Sequence, residues 1–258
     1  MLHGFSGAPE LWAEVRAALD PAIPISAPTL PGHGGRPFPA ADGVAAIWRS
    51  CARAVAPETP AIWVGYSLGA RIALAALDAC PERVLGLVLI GGHPGLRTDA
   101  ERDARAAWEA PHAACLGGGD LGAFVAAWER EPIFASQAAL PARVRDAQRR
   151  VRAAHDPAGL AAAFTGLALS AMPDRRALLA AAGVPVTLVH GALDARYAAL
   201  HAELAALAPV AVRAVPGAGH NVPLEAPAAL AALLTALATG PWPPDREETL
   251  PSPRSQAS

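Results

Sequence analysis

The chain has 258 residues, 53% of them hydrophobic, and its 21 basic and 23 acidic side chains leave a formal net charge of −2. That length predicts one domain, or one domain with an insertion, and the near-neutral charge gives no electrostatic reason for a nucleic-acid or anionic-membrane partner. Every basic residue is arginine, which excludes a Schiff-base lysine, a pyridoxal-phosphate lysine and a phosphate-loop lysine. Cys51, Cys80 and Cys115 are odd in number and widely spaced, so neither a disulfide framework nor a metal spacing is visible. With no signal-like N-terminus and no spanning apolar run, this predicts a cytoplasmic protein that needs no metal or other cofactor.

In chain order, Met1-Leu2-His3-Gly4-Phe5-Ser6-Gly7 reads as the end of a strand running into a glycine-rich loop. The strand has about three residues, where buried strands run to five or six. This predicts a truncated N-terminal sheet edge whose neighbours lack hydrogen-bond partners, and a chain extended upstream is expected to be more stable. Leu11, Trp12, Val15 and Leu19 recur at helical spacing. Residues 23–27 read as a short strand, and 28–36 as a turn-rich loop. That loop carries His33, either a site residue or a loop-stabilising or exposed one. Residues 44–55 read as a helix.

An apolar strand over 61–66 ends in Gly65-Tyr66-Ser67-Leu68-Gly69, and a helical pattern begins at once. Residues 84–90 form a continuous apolar run, the mark of a parallel strand covered on both faces. From 97 to 176, Arg, Glu and Ala fall at helical spacing with little strand signal, which predicts a helical insertion covering the site. Strand 184–190 leads to Asp194, helix 198–207 and strand 210–215 lead to Gly219-His220-Asn221, and helix 227–238 closes the domain. The Pro-rich, charged residues from 240 predict a disordered tail. Alternating strands and helices give a mostly parallel α/β sheet flanked by helices, with residues 1–96 and 177–239 as core, 97–176 as a cap and 240–258 as the tail.

The Gly-x-Ser-x-Gly turn between strand and helix is the context of a nucleophile elbow, where small residues two positions either side of the serine avoid a clash. Asp194 and His220 each follow a strand end, so both fall at the same carboxyl edge of the sheet as Ser67. Serine is a weak nucleophile or base at its own pKa. It needs an imidazole to accept its proton and a carboxylate to fix the imidazole tautomer. An Asp in this place also commonly caps the helix that follows it. The backbone N–H groups of Phe5 and Leu68 are the candidate oxyanion donors. The chain order Ser, Asp, His is that of the α/β-hydrolase fold.

The chain resembles one family on that fold. The matching residues are Leu2-His3-Gly4-Phe5, Gly65-Tyr66-Ser67-Leu68-Gly69-Ala70-Arg71, His93-Pro94-Gly95-Leu96, Glu131-Pro132-Ile133-Phe134-Ala135-Ser136, Gly191-x-x-Asp194 and Gly219-His220-Asn221. They look like the synthase of menaquinone biosynthesis that makes 2-succinyl-6-hydroxy-2,4-cyclohexadiene-1-carboxylate by eliminating pyruvate from an enolpyruvyl-bearing precursor. The resemblance runs to about Leu237, and Ala70 departs from the glycine usual there. It implies a carbon–oxygen lyase acting on a small polyanionic substrate, with substrate arginines at Arg71, at Arg105 and at Arg152 or, failing that, Arg149. Arginine suits this role because its fork binds carboxylates bidentately and stays charged. Tyr66 and Trp128 would shape the pocket. Two other readings stay open: a serine hydrolase using the same triad through a covalent intermediate, and an inactive binding protein on the same fold. Oligomeric state is left open.

Overall fold

The computed structural model describes residues 1–240. The tail expected to be disordered lies outside the described residues, Gly240 apart. A 3₁₀ turn at Pro9–Trp12 enters helix α1, Ala13–Ala18, and α2 spans Val44–Ala54. Strand β1 is Ala61–Tyr66, α3 is Leu68–Ala79 and β2 is Val84–Ile90. A helical stretch follows: α4 Asp99–Gly117, α5 Leu121–Trp128, a 3₁₀ segment Pro132–Ala139, α6 Ala142–Ala153 and α7 Pro157–Gly166. The chain returns through α8 Arg176–Ala180, β3 Val186–Gly191, α9 Ala195–Leu207, β4 Ala211–Val215, α10 Val222–Glu225 and α11 Pro227–Thr239.

The four strands pair in parallel in the order β1-β2-β3-β4. Successive side chains on a strand point to opposite faces, and here both faces are buried. Trp63, Leu87, Leu89 and Leu188 join one core with residues of α2, α3 and α9. Val64, Tyr66, Val88, Ile90 and Val189 face the other, filled by Trp12 and Val15 from the first helical turns and by Leu230, Leu233 and Leu237 of α11. This explains why β2 reads as an unbroken apolar run. A parallel sheet with crossovers on both sides leaves all its strand carboxyl ends on one edge, and the candidate residues gather there.

The inserted helices have a core of their own, with Leu116, Phe124, Val125, Leu160 and Phe164 packed together. Their starts follow capping chemistry. Thr98 and Glu101 form a reciprocal capping box at α4, while Asp120 and Asp156 accept N–H groups at the starts of α5 and α7. Phe5 packs against this core, so the N-terminal loop is held between sheet and insertion.

Residues 23–27, expected as a strand, join no ladder. Ile23, Ile25 and Ala27 do pack against the α1–α11 side of the sheet. Alternating apolar residues report a buried face, not a hydrogen-bonded neighbour, and here the backbone has no adjacent strand to pair with. At the N-terminus, Leu2 forms an isolated bridge to Gly65: its N–H donates to Val64 O at 2.7 Å and its carbonyl accepts from Tyr66 N–H at 3.0 Å. An apolar cleft of about 520 Å³ runs beside β1, lined by Leu2, Ile25, Val55, Trp63 and Leu237 among others.

Candidate active site

Ser67 joins β1 to α3 with φ 52° and ψ −106°. A residue with a side chain held in such a conformation stores about 1–3 kcal/mol of strain. The turn is tight: a Cβ on Gly65 would overlap the Gly69 carbonyl, and one on Gly69 would overlap the backbone of Leu2 and His3. Glycine is therefore required at both places by close approach. Ser67 N–H donates to Ile90 O at 2.8 Å, which ties the elbow to the end of β2.

Asp194 uses its two oxygens for two tasks. Oδ1 accepts from Tyr197 N–H at 3.1 Å and caps α9, while Oδ2 meets His220 Nδ1 at 2.9 Å. Burial opposes ionisation of this carboxyl, but the hydrogen bond and charge of His220, with the Tyr197 N–H and the charge of His190, together outweigh it, and its pKa stays below the usual aspartate value. With Nδ1–H donated to Asp194, Nε2 of His220 is left as the acceptor. The imidazole is buried against the rings of Tyr197, Tyr66 and Phe134, at centroid distances of 4.8, 5.3 and 6.4 Å.

The N-terminal loop is braced by two fully buried histidines. His3 Nε2 accepts Leu30 N–H at 3.1 Å, leaving its Nδ1–H to donate to Gly4 O at 2.8 Å. His33 Nε2 accepts Ser6 N–H at 3.1 Å, and its Nδ1 faces Pro31 O at 3.1 Å. His33 is thus a loop-stabilising residue, inside the protein and not exposed.

Burial lowers the pKa of His3 to about 4 and of His93 and His201 to about 3, and holds His33 well below its ordinary value. A folded-state pKa below the unfolded value of about 6.5 means that the unfolded chain binds more protons in between. Stability is then present at neutral pH and is lost as pH falls from about 6.5 toward 4. Each such imidazole contributes a slope of up to about 1.4 kcal/mol per pH unit, against a typical total of about 5–15 kcal/mol. The urea midpoint is expected to fall steadily between pH 6.5 and 5. A midpoint that is flat over that range would contradict neutral burial of these rings.

Ser67, Leu68, His220 and Phe5 line a cavity of about 580 Å³ between the sheet edge and the inserted helices. Arg71, Arg105 and Trp128 line it too, as do His93, Trp108 and Arg196. The cavity's carboxylates are already engaged. Glu109 accepts from Arg105 Nε at 2.8 Å and from Leu169 N–H at 3.0 Å, and Glu131 accepts from Trp108 Nε1 at 3.0 Å and meets His112 Nε2 at 2.9 Å. Arg71 differs. Its Nη1 donates to Leu167 O at 3.1 Å and its guanidinium lies 5.5 Å from the Trp48 ring centroid, with no carboxylate in ion-pair range among the described residues. Burial, and then the charge of Arg105, lower its pKa to about 10. Burying an uncompensated charge is costly unless a partner arrives.

Tyr66 and Arg152 lie elsewhere. They line a second chamber of about 310 Å³, which shares Phe5, Ser67, Trp128 and Phe134 with the first. Arg152 is buried, donates from Nη1 to Glu129 at 3.1 Å and lies 5.2 Å from the Phe134 ring centroid. Arg149 pairs with Glu129 at 2.6 Å with its side chain 60% exposed, and it lines neither chamber. Among the described residues no group of three or more His, Cys, Asp or Glu could hold a metal ion, and no helix is long and apolar enough to cross a membrane.

The sequence model of the alpha/beta hydrolase family matches residues 1–233. Among curated proteins, the chain is 38% identical over 235 residues to the 2-succinyl-6-hydroxy-2,4-cyclohexadiene-1-carboxylate synthase of Enterobacter sp. (strain 638), covering 90% of this chain and 88% of that protein. It is 36% identical over 239 residues to the synthase of the same name from Escherichia coli O1:K1 / APEC, covering 90% of each. This chain belongs to that synthase family of alpha/beta hydrolases. Among solved structures, MenH from S. aureus superposes with a TM-score of 0.84 at 23% identity, covering 92% of this chain and 91% of that one. A thermophilic esterase from Thermogutta terrifontis superposes with a TM-score of 0.74 at 21% identity, covering 92% and 87%. At these identities the two likenesses speak to the fold.

Two residues at the site, Arg196 and Tyr197, were not singled out by sequence reasoning, and a third, His93, stood there only within a matching motif, with no role of its own. Arg196 and Tyr197 open α9 directly after Asp194, and their place in the first helical turn, beside a residue already at the sheet edge, was the available signal. His93 follows β2 in the same way. Its Nδ1 accepts Gly95 N–H at 3.1 Å, so Nε2 carries the proton. Burial, and then the charges of Arg71, Arg176, Arg196 and Arg105, keep this ring neutral. It is a neutral donor set among arginines.

Proposed function

We propose that this enzyme is a carbon–oxygen lyase that eliminates pyruvate from the enolpyruvyl-bearing cyclohexene dicarboxylate precursor, giving 2-succinyl-6-hydroxy-2,4-cyclohexadiene-1-carboxylate. The observation that carries this reading is a half-buried guanidinium without a carboxylate, Arg71, in the cavity that holds Ser67 and His220. A polyanionic small molecule supplies the missing charge, and Arg105, Arg196 and the His93 Nε2–H add donors around it.

In this reading Ser67 Oγ takes a ring proton from the substrate as His220 Nε2 takes the serine proton, and Asp194 stabilises the imidazolium. The C–H electron pair becomes enolate charge, which the N–H groups of Phe5 and Leu68 receive. That charge returns as a new C=C bond while the C–O bond to the enolpyruvyl group breaks; the leaving group departs as the enolate of pyruvate and takes the proton back from the His220 imidazolium to become pyruvate, which resets the triad. No bond forms between Ser67 and substrate. Trp128 shapes the main cavity. Tyr66 and Arg152 act from the second chamber, on the far side of Ser67. The reading includes a cytoplasmic location, supported by the buried free thiols of Cys51 and Cys80.

The test is pyruvate release from the precursor, followed with a coupled lactate dehydrogenase assay beside turnover of a short neutral aryl ester. We expect rapid pyruvate release and a poorer ester rate. If pyruvate is undetectable and the ester is the better substrate, the serine-hydrolase reading replaces this one.

A further inference from the structure

We propose that Glu225 is a positioning residue for His220, acting as a clamp on the backbone to either side of it. Its Oε2 accepts Gly219 N–H at 2.7 Å and its Oε1 accepts Asn221 N–H at 3.0 Å. The two donors flank His220 in the chain, so one carboxylate holds both ends of the peptide segment that carries the imidazole. Glu225 has no guanidinium or imidazole in ion-pair range among the described residues. Its charge is directed to main-chain N–H groups alone, and charge-assisted bonds of this kind are roughly twice as strong as neutral ones.

The rest of the His220 surroundings leaves the two N–H groups beside it to this carboxylate. Asp194 fixes the ring at Nδ1, and Tyr66 and Tyr197 pack beside it. These contacts orient the side chain, and Leu193 N–H holds the Ala218 carbonyl at 2.9 Å two residues before it, while the N–H groups immediately either side of His220 go to Glu225. Glu225 closes α10 and is followed by α11, so the clamp ties the loop to a regular element, beside the bond from Leu193 N–H to Ala218 O that ties it to the Asp194 loop. The inserted helices seat on the same point. Ser136 Oγ occupies the space a Cβ at Gly219 would need, and Glu225 Oε2 lies 3.1 Å from that position. The glycine is required there because the clamp and the Glu131–Ser136 segment approach its backbone from two sides.

This inference rests on the triad reading of Ser67, Asp194 and His220, and the test separates the two. The variants are Glu225→Gln, whose amide accepts one N–H but opposes the other with its own NH₂, and Glu225→Asp, one methylene too short to span both. Each is measured for kcat and KM in pyruvate release, and for the low-field proton resonance of His220 Nδ1–H, identified by its loss in Asp194→Asn. For Glu225→Gln we expect kcat to fall about 10- to 100-fold with KM within about threefold, the scale of a misplaced catalytic group. We also expect the resonance to broaden or vanish through exchange with water. Glu225→Asp should lie between the two. A folded Glu225→Gln with wild-type kcat and an unchanged resonance would overturn the proposal, even if its melting temperature were lower, because a purely structural role lowers stability and leaves turnover per folded molecule alone. Should Glu225→Gln not fold, Glu225→Asp decides by the same two readings. The resonance needs no substrate, so a wild type that releases no pyruvate counts against the assigned reaction and leaves the clamp test intact.

Discussion

Replacing Arg71 by alanine is expected to lower kcat/KM for the polyanionic precursor by about 30- to several-thousand-fold. This is the effect of removing one partner from a desolvated arginine–carboxylate contact, about 2–5 kcal/mol. The physical reason lies in the apo site. Arg71 is held by the Leu167 carbonyl and the face of Trp48, and its charge is not neutralised by any described carboxylate within ion-pair range. A half-buried guanidinium already partly desolvated in the free enzyme has less left to lose when an anion binds, so more of the attraction appears as affinity. A neutral aryl ester has no carboxylate to lose, and its kcat/KM should stay within about threefold of wild type. Steady-state kinetics on the two substrates checks this, and equal losses on both would show that Arg71 supports the fold and not the anion. The same uncompensated charge predicts that Arg71→Ala keeps a melting temperature at or above that of wild type, as expected where function is held at a cost in stability.

Ser67→Ala should be the more damaging change, with kcat for pyruvate release falling on the order of 10³- to 10⁶-fold, as when one member of a cooperating triad is removed. Elimination and hydrolysis both lose their first proton transfer, so this variant alone does not separate them. Mass spectrometry of wild-type protein quenched during turnover does: the lyase reading expects no ester adduct on Ser67 with the precursor, and an adduct accumulating in a burst would contradict it. Ser67→Gly adds a second reading. The φ of 52° at Ser67 stores strain that glycine does not. Although glycine carries a chain-entropy penalty of its own, relief of about 1–3 kcal/mol of strain should leave the inactive Ser67→Gly protein at least as stable as wild type. A clear drop in its melting temperature would mean that the elbow is not strained.

Much of this architecture was legible in the residues themselves. The continuous apolar runs at 61–66 and 84–90 pointed to a sheet buried on both faces, because an unbroken apolar strand needs cover on each side. Gly65 and Gly69 around Ser67 announced a turn too tight for any Cβ, and the overlaps a Cβ would meet bear out that steric reading. For Asp194 the sequence offered two roles, helix cap and partner of His220. The structure gives it both, because a carboxylate has two oxygens and the strand end points one toward α9 and the other toward the His220 loop.

Other features were decided by the tertiary structure alone. Residues 23–27 alternate like a strand yet join no ladder, since pairing depends on a neighbour that local sequence does not specify. The arginines of the helical insertion look alike in sequence. Packing sorts them into Arg105 held by Glu109, Arg152 sunk beside Phe134 in the second chamber, and Arg149 at the surface. Arg71 without a carboxylate and Glu225 spanning two N–H groups are likewise invisible locally, because whether a charge is partnered depends on groups far away in the chain or turned back onto the backbone. Sequence determined which residues this protein has for its chemistry and which strand ends carry them. Only the fold decided which charges neutralise one another and which are left for a ligand, because that is set by distances across the cavity and not by spacing along the chain.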